Sequence, residues 1–390
     1  MITVMDRDQI TAEVAARLVA GQFPQWAGLP VVPVGLGGWD NITFRLGGEL
    51  SVRLPSGPDY AAQVAKEHRW LPVLAGQLPL PVPQPVALGQ PTAGFPWPWS
   101  VYRWIEGEPA CLGQVTDLTG FAADLAGFLA ALYAIDTSGG PPPGRHNWFR
   151  GGPLSTWDEQ TRTCIERLAA DIDARAARQV WDSALASSWR QPPVWVHGDI
   201  TASNLLLADG ALHAVIDFGC AAVGDPACDL VMAWTFFPDR AAATFRRGLP
   251  ADEATWFRAR GWALWKALVT LGSPRNGRDG GQEAARQFGW RYSPRQVISR
   301  VIADDVRTLP GTQPWEAEWI LRNKVCGSSS GSARTGRQAC SPRAKRPSSG
   351  SPNTAQSLNR VPWSRCRRST ARTARPGLPH RRGSRCRPGW

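Results

Sequence analysis

Apolar residues at Ile10, Val14 and Leu18 recur every four positions between Asp8 and Ala20, which predicts a short amphipathic helix on the outside of the first lobe. The pattern then shortens. Val31 to Leu46 has strand-like ends around a glycine-rich centre, Glu49 to Leu54 reads as a third strand, and Ala62 to Leu71 as a helix. Prolines at positions 79, 81, 83 and 85 remove backbone donors and bias their neighbours away from helix, so Leu78 to Pro85 makes a rigid extended crossover into Val86 to Leu88. After a turn at Pro91 to Gly94, Trp97 to Glu108 gives the last strand of this part and a hinge.

Helical periods dominate the rest. Asp117 to Asp136 aligns Leu118, Phe121, Leu125, Phe128, Leu129 and Leu132 in one core-facing stripe, with Thr116 or Asp117 as N-cap. Gly139 to Gly144 is a loop, and Trp157 to about Ala186 is a charged helical segment. Ala251 to Leu271 and Pro294 to Arg307 read as further helices on either side of a flexible break at Pro274 to Gly281. Between these helices, Leu205 to Leu207 and Ala211 to Ile216 are strands joined at Asp209-Gly210, a strong hairpin signal.

Charge changes the picture only at one end. The formal charge is +12, but residues 326–390 hold 15 Lys and Arg and no acidic residue, leaving residues 1–325 with 29 basic and 32 acidic side chains. The body is mildly acidic, so no nucleic-acid partner is expected for it. The tail is rich in Arg, Ser, Pro and Gly without apolar periodicity, and it is expected to be disordered. With 40 Arg against 4 Lys in the whole chain, its composition is also what an out-of-frame reading of GC-rich DNA yields. We therefore read residues 326–390 as a frameshift product or other non-native end, the plain alternative being a solvated basic tail. Cysteines at 111, 164, 220 and 228 form no Cys-x-x-Cys pair, the expected state being reduced thiols in a cytoplasmic protein. No signal peptide and no apolar run of membrane-spanning length is seen.

The chemistry concentrates in Val194 to Gly219. Asp199, Asn204 five residues later, and Asp217 after the hairpin have the spacing a phosphoryl-transfer site needs. Asp199 can orient an acceptor hydroxyl and take its proton. Asn204 and Asp217 offer oxygens to Mg²⁺, a hard cation, and the hairpin is expected to swing Asp217 back beside Asn204.

His197-Gly198-Asp199, Asn204, Ile216-Asp217-Phe218-Gly219 and Gly224-Asp225-Pro226-Ala227-Cys228-Asp229-Leu230, in that order, resemble the core motifs of the aminoglycoside phosphotransferase family. The likeness runs more loosely from about Val31 to Thr308. It implies an α+β, two-lobed protein-kinase-like fold, with a small antiparallel-sheet N-lobe at 1–106, a larger mostly helical C-lobe at 107–325, and the tail beyond. It implies ATP and Mg²⁺ as cofactors, the phosphates lying under a loop containing Gly35, Gly37 and Gly38; an ordinary hairpin turn is the bland reading of those glycines. Arg53 stands where the family carries a phosphate-binding lysine; it keeps the charge but not the shape. Glu67 matches its ion-pair partner, against the alternative of a solvated charge on a helix also bearing Lys66 and Arg69. Backbone groups of Tyr102, Arg103, Trp104 and Ile105 match the hinge that holds adenine, with Trp99 and Trp104 packing. His197 and Asp229 match residues that support the catalytic loop. For His68, His146 and His213 packing is the expectation.

The acceptor implied is a small-molecule alcohol, first an aminoglycoside or related antibiotic. Residues 107–230, with 7 basic and 15 acidic side chains, suit a polycation; residues 231–325, with 15 and 9, do not. A macrolide, choline-like or sugar-amine acceptor therefore stays open, as does a regulatory protein that binds nucleotide without catalysis. The oligomeric state is not legible.

Overall fold

The computed structural model describes residues 5–35, 38, 40–111, 113–273 and 281–307. Gly37, most of the Pro274 to Gly281 break and the whole 326–390 tail lie outside them.

Helix α1 (Ala12–Gln22) starts four residues later than the periodicity suggests, because Thr11 caps it by accepting from the Val14 N–H. Strands β1 (Val31–Pro33), β2 (Asn41–Leu46) and β3 (Leu50–Pro55) precede helix α2 (Ala61–Ala75), and β4 (Pro85–Gly89) and β5 (Trp99–Arg103) complete an antiparallel sheet in the order β1-β2-β3-β5-β4. One face of this sheet buries Phe44, Leu46, Val52, Leu54, Trp99 and Val101 against Ile10, Val14 and Leu18 of the N-terminal segment. The expected amphipathic helix is thus the cover of the sheet.

The helical part is built on α3 (Leu118–Ala134), capped by Asp117, which accepts from the Thr119 N–H. A two-residue strand, β6 (Glu108–Pro109), precedes it. The charged helical segment consists of two helices, α4 (Asp158–Arg167) and α5 (Ala174–Ala186), because Asp173 caps a new start by accepting from the Ala176 N–H. Strand β7 (Val194–Val196) leads into the loop bearing Asp199. The hairpin β8 (Leu205–Ala208) and β9 (Ala211–Val215) follows, with Asp209 and Gly210 both left-handed at φ 52° and 76°. That is the conformation a two-residue turn needs to follow the twist of its strands. Strand β10 (Ala222–Gly224) then pairs with β7.

Helices α6 (Met232–Thr235) and α7 (Asp239–Arg247) follow the turn that carries Asp229; α8 (Glu253–Gly272) and α10 (Pro294–Arg307) are the two further helices expected, and α9 (Gln282–Gln287) is a short addition. Every position of α8 from Arg258 to Leu271 is buried. It is the central post of the helical part, so a polar side chain on it must have a partner. The mixed architecture, antiparallel sheet first and helices after, is the α+β arrangement expected.

Candidate active site

The loop after β7 turns at Gly198, whose φ is 83°; a Cβ there would stand 2.5 Å from the Cys220 carbonyl oxygen, so glycine is required. Beneath it, the buried Asp229 carboxylate accepts from the His197 N–H at 2.9 Å and the Gly198 N–H at 2.7 Å. Burial pushes Asp229 up to about 7 against the pull of those two bonds. His197 spans the other side: its Nε2 is 3.0 Å from the Ile216 carbonyl, and its Nδ1 accepts from the Asp199 N–H at 3.2 Å. Burial lowers its pKa and favours the neutral ring. Both residues lie under the loop as braces. Asp229 anchors the loop through those two bonds, and Asp225 caps the Pro226–Leu230 turn.

Asn204 ties the loop to the hairpin. Its Nδ2 donates to the Asp199 carbonyl at 2.9 Å and lies 3.4 Å from Asp199 Oδ2, and its own backbone carbonyl accepts from the Ile216 N–H at 2.9 Å. The hairpin does return Asp217 to Asn204. Asp217 sits in the left-handed region at φ 67°, an uncommon conformation for a residue other than glycine.

Opposite stands Arg53 on β3, 2.8 Å from Asp217 Oδ1 and 3.4 Å from Glu67 Oε1. Burial opposes its charge, but the two carboxylates outweigh that and raise its pKa. Glu67 is buried and accepts from the Tyr102 hydroxyl at 2.7 Å, so it is no solvated helix charge. Tyr102 therefore has a side-chain task, bracing Glu67. In the hinge, the Arg103 N–H goes to the Gln84 carbonyl and the Trp104 N–H to the Glu49 carbonyl, which removes two of the backbone donors expected for a base. Trp99 is buried, and Trp104 stacks under the Arg45 guanidinium at 4.6 Å.

These residues share one cleft of about 470 Å³. Its walls include Gly35, Gly38, Arg53, Tyr102, Arg103, Trp104, Ile105, Asp199, Asn204 and Asp217. Glu67, His197 and Asp229 stand behind it.

Four contributors were missed from the sequence. Lys266, on α8, donates to Asp199 Oδ1 at 2.7 Å. Arg150 lines the same cleft, with its guanidinium over the Trp265 ring at 4.7 Å. Burial would raise the Asp199 pKa, but the charges of Lys266 and then Arg150 hold it below the ordinary carboxylate value. Asp40, next to the glycine-rich loop, accepts from Gln63 Nε2 at 3.0 Å; burial, then the negative charge of Asp217, pushes it up to about 7. Lys66 is also no solvated charge: its ammonium donates to the Gly219 and Ala221 carbonyls at 2.6 and 3.0 Å, and burial lowers its pKa to about 8. Only Lys266 left a trace that could have been read, as one of four lysines in the chain, set among Trp, Ala and Leu.

The donor set suits Mg²⁺. Among the described residues no cluster of three His, Cys, Asp or Glu could hold a metal alone. Asp217 Oδ2 and Asn204 Oδ1 are oxygens without a hydrogen bond recorded among the described residues, as befits an ion completed by phosphate and water. After burial, the negative charge of Asp217 and then of Asp199 adds to the raised pKa of Asp40, charge that a divalent cation in the cleft would offset.

The GDP complex of wild-type aminoglycoside 2′-phosphotransferase-IIIa is similar at 19% identity and a TM-score of 0.56, covering 76% of this chain and 99% of that one. A GDP and kanamycin complex of an APH(2″) enzyme is similar at 21% identity and a TM-score of 0.56, covering 75% and 99%. Likeness at these identities bears on the fold alone. A comparison with curated proteins found no match. The family model described as APH, phosphotransferase enzyme family, matches residues 31–263, well over half of the sequence, and the chain belongs to that family.

Proposed function

We propose that the protein moves the γ-phosphoryl group of MgATP to an alcohol of a small molecule, an aminoglycoside or related antibiotic being the first class to test. The observation that carries the reading is that Asp199, Asn204, Asp217 and Arg53 line one cleft, in which the Arg53 guanidinium on the sheet meets the Asp217 carboxylate. Arg53 binds the nucleotide phosphates, held in place by Glu67; Gly35 and Gly38 let backbone approach them. Asn204 and Asp217 would hold Mg²⁺, which supplies neutralisation of charge on the transferring group. Asp199 aligns the acceptor hydroxyl and takes its proton, and His197 and Asp229 fix the loop that carries it. The division at residues 106 and 107 assigns phosphate binding to the sheet and acceptor binding to the helices.

A second acceptor class is favoured by a specific observation. The cleft carries Lys266 and Arg150, whose charges bear on Asp199, and its lining also includes Trp148 and Phe288. Cations and aromatic rings there suit an alcohol with an apolar face and little positive charge, such as a macrolide, better than a polycation. A radiolabelled phosphate-transfer screen over kanamycin, erythromycin, choline and sugar amines, run with ATP and with GTP, tests the reading. Nucleotide binding without Mg²⁺-dependent transfer or hydrolysis would instead make the protein a regulatory nucleotide binder.

A further inference from the structure

α8 is buried on all sides from Arg258 to Leu271, and three basic residues lie within that stretch. Two have structural partners. Arg258 reaches Asp225 Oδ2 at 2.6 Å and the Ser187 hydroxyl at 2.8 Å, locking the turn before α6; Arg260 donates to the Val301 carbonyl at 2.7 Å, joining α8 to α10. Lys266 does neither. It is 4% exposed, and its ammonium projects into the cleft, where Asp199 Oδ1 is its recorded partner among the described residues.

Burying an ammonium costs free energy that a single ion pair does not reliably return, and a packed apolar side chain of the same length is often the more stabilising choice. The fold gains little from a lysine here. The chemistry gains in two ways. An aspartate carboxylate rotates easily about its last torsion. With Oδ1 taken at 2.7 Å and Asn204 no nearer than 3.4 Å to Oδ2, the carboxylate is fixed and Oδ2 is left to face a hydroxyl. The ammonium also offsets the negative charge of Asp199, which would otherwise repel the phosphoryl group as it passes to the acceptor, an effect felt in transfer and not in nucleotide binding.

We infer that Lys266 is a positioning residue for phosphoryl transfer, holding Asp199 by one oxygen and neutralising it from the acceptor side of the cleft. This rests on the reading of Asp199 as the group that takes the acceptor proton. Lys266 acts through Asp199 and not on the nucleotide, so its loss lowers turnover without weakening MgATP binding.

The test compares wild type, Lys266→Met, Lys266→Arg and Asp199→Asn. Turnover is read as Mg²⁺-dependent ATP hydrolysis, with water in the alcohol's place, and as transfer to kanamycin and erythromycin. Lys266→Met is expected to lower kcat about 100-fold, with the KM for ATP changed less than about threefold, and Lys266→Arg to recover only about a tenth of wild-type turnover. Thermal melting and binding of a fluorescent ATP analogue check that each variant is folded. Should Lys266→Met not fold, the inference stands or falls with Lys266→Arg, which keeps the charge but displaces the donor: a lowered kcat at constant KM supports it, and unchanged turnover overturns it. A Lys266→Met protein within about threefold of wild-type kcat overturns it while Asp199→Asn is inactive. If Asp199→Asn keeps wild-type turnover, the assignment of Asp199 fails, and the role of Lys266 with it.

Discussion

The two ends of the cleft each set a cation against a carboxylate, the one part-buried and the other buried, and they are built differently. At the sheet end, Arg53 is shared between Asp217 and Glu67, and Glu67 is held in turn by Tyr102. At the helix end, Lys266 reaches from α8 to Asp199, its one hydrogen-bond partner among the described residues. A cation between two carboxylates keeps its place when one of them turns to a metal. A cation with one partner instead sets that partner's orientation. In the proposed reading the first grips a ligand and the second aims a reactive group, so substitutions at the two ends should separate binding from turnover.

The largest effect is expected at Asp199. Asp199→Asn keeps the shape but cannot take a proton, and kcat should fall about 1,000-fold with the KM for ATP within about threefold in steady-state assays. Asp217→Asn is expected next: about 100-fold lower activity at 1 mM Mg²⁺, recovered in part by more metal, because one carboxylate of the donor set is gone. A magnesium titration of the rate reads this out. Arg53→Met should act mainly on binding, raising the KM for ATP about tenfold, and Arg53→Lys should recover only part of that, since the bidentate fork is lost. A fall in kcat at unchanged KM would erase the distinction between the ends.

The smallest effect concerns pH. The Asp40 carboxyl stands at about 7 in the folded protein against an ordinary 3.8. The unfolded chain ionises first, so this residue's contribution to stability is complete below about pH 4 and is lost as the pH rises towards 7. Asp40→Asn can still accept from Gln63 and should raise the melting temperature by about 2–4 °C at pH 8, with no gain near pH 4. Equal shifts at both pH values would show that the charge of Asp40 is not what costs stability.

The legible parts were those in which a local pattern is also the geometry. Asp209-Gly210 closes the hairpin that returns Asp217 to Asn204, and the stripe from Leu118 to Leu132 is core. The pairing of Arg53 with Glu67 and the grip of Asp229 on the loop were legible through the family resemblance, which implies both. What escaped was placed by tertiary packing. Nothing near position 266 says that this face of α8 meets a loop 67 residues earlier in the chain. Lys66 has no reading of its own in a helix that also bears Glu67 and Arg69, yet its helix face meets the segment after Asp217. The split between α4 and α5 was hidden because Asp173 is one acid among several in a charged stretch.

The clasp of Lys66 on the Gly219 and Ala221 carbonyls has a mechanical consequence. It fastens α2, which carries Glu67, to the segment directly following Asp217, while Arg53 bridges the same two carboxylates from the sheet. Helix, strand and loop thus form a closed triangle of charged struts, and displacing one corner strains the other two. A ligand that pulls Arg53 towards the solvent should therefore be registered at Asp217 with no hinge between them, and amide exchange at Gly219 and Ala221 should slow together with that of α2 when nucleotide is added.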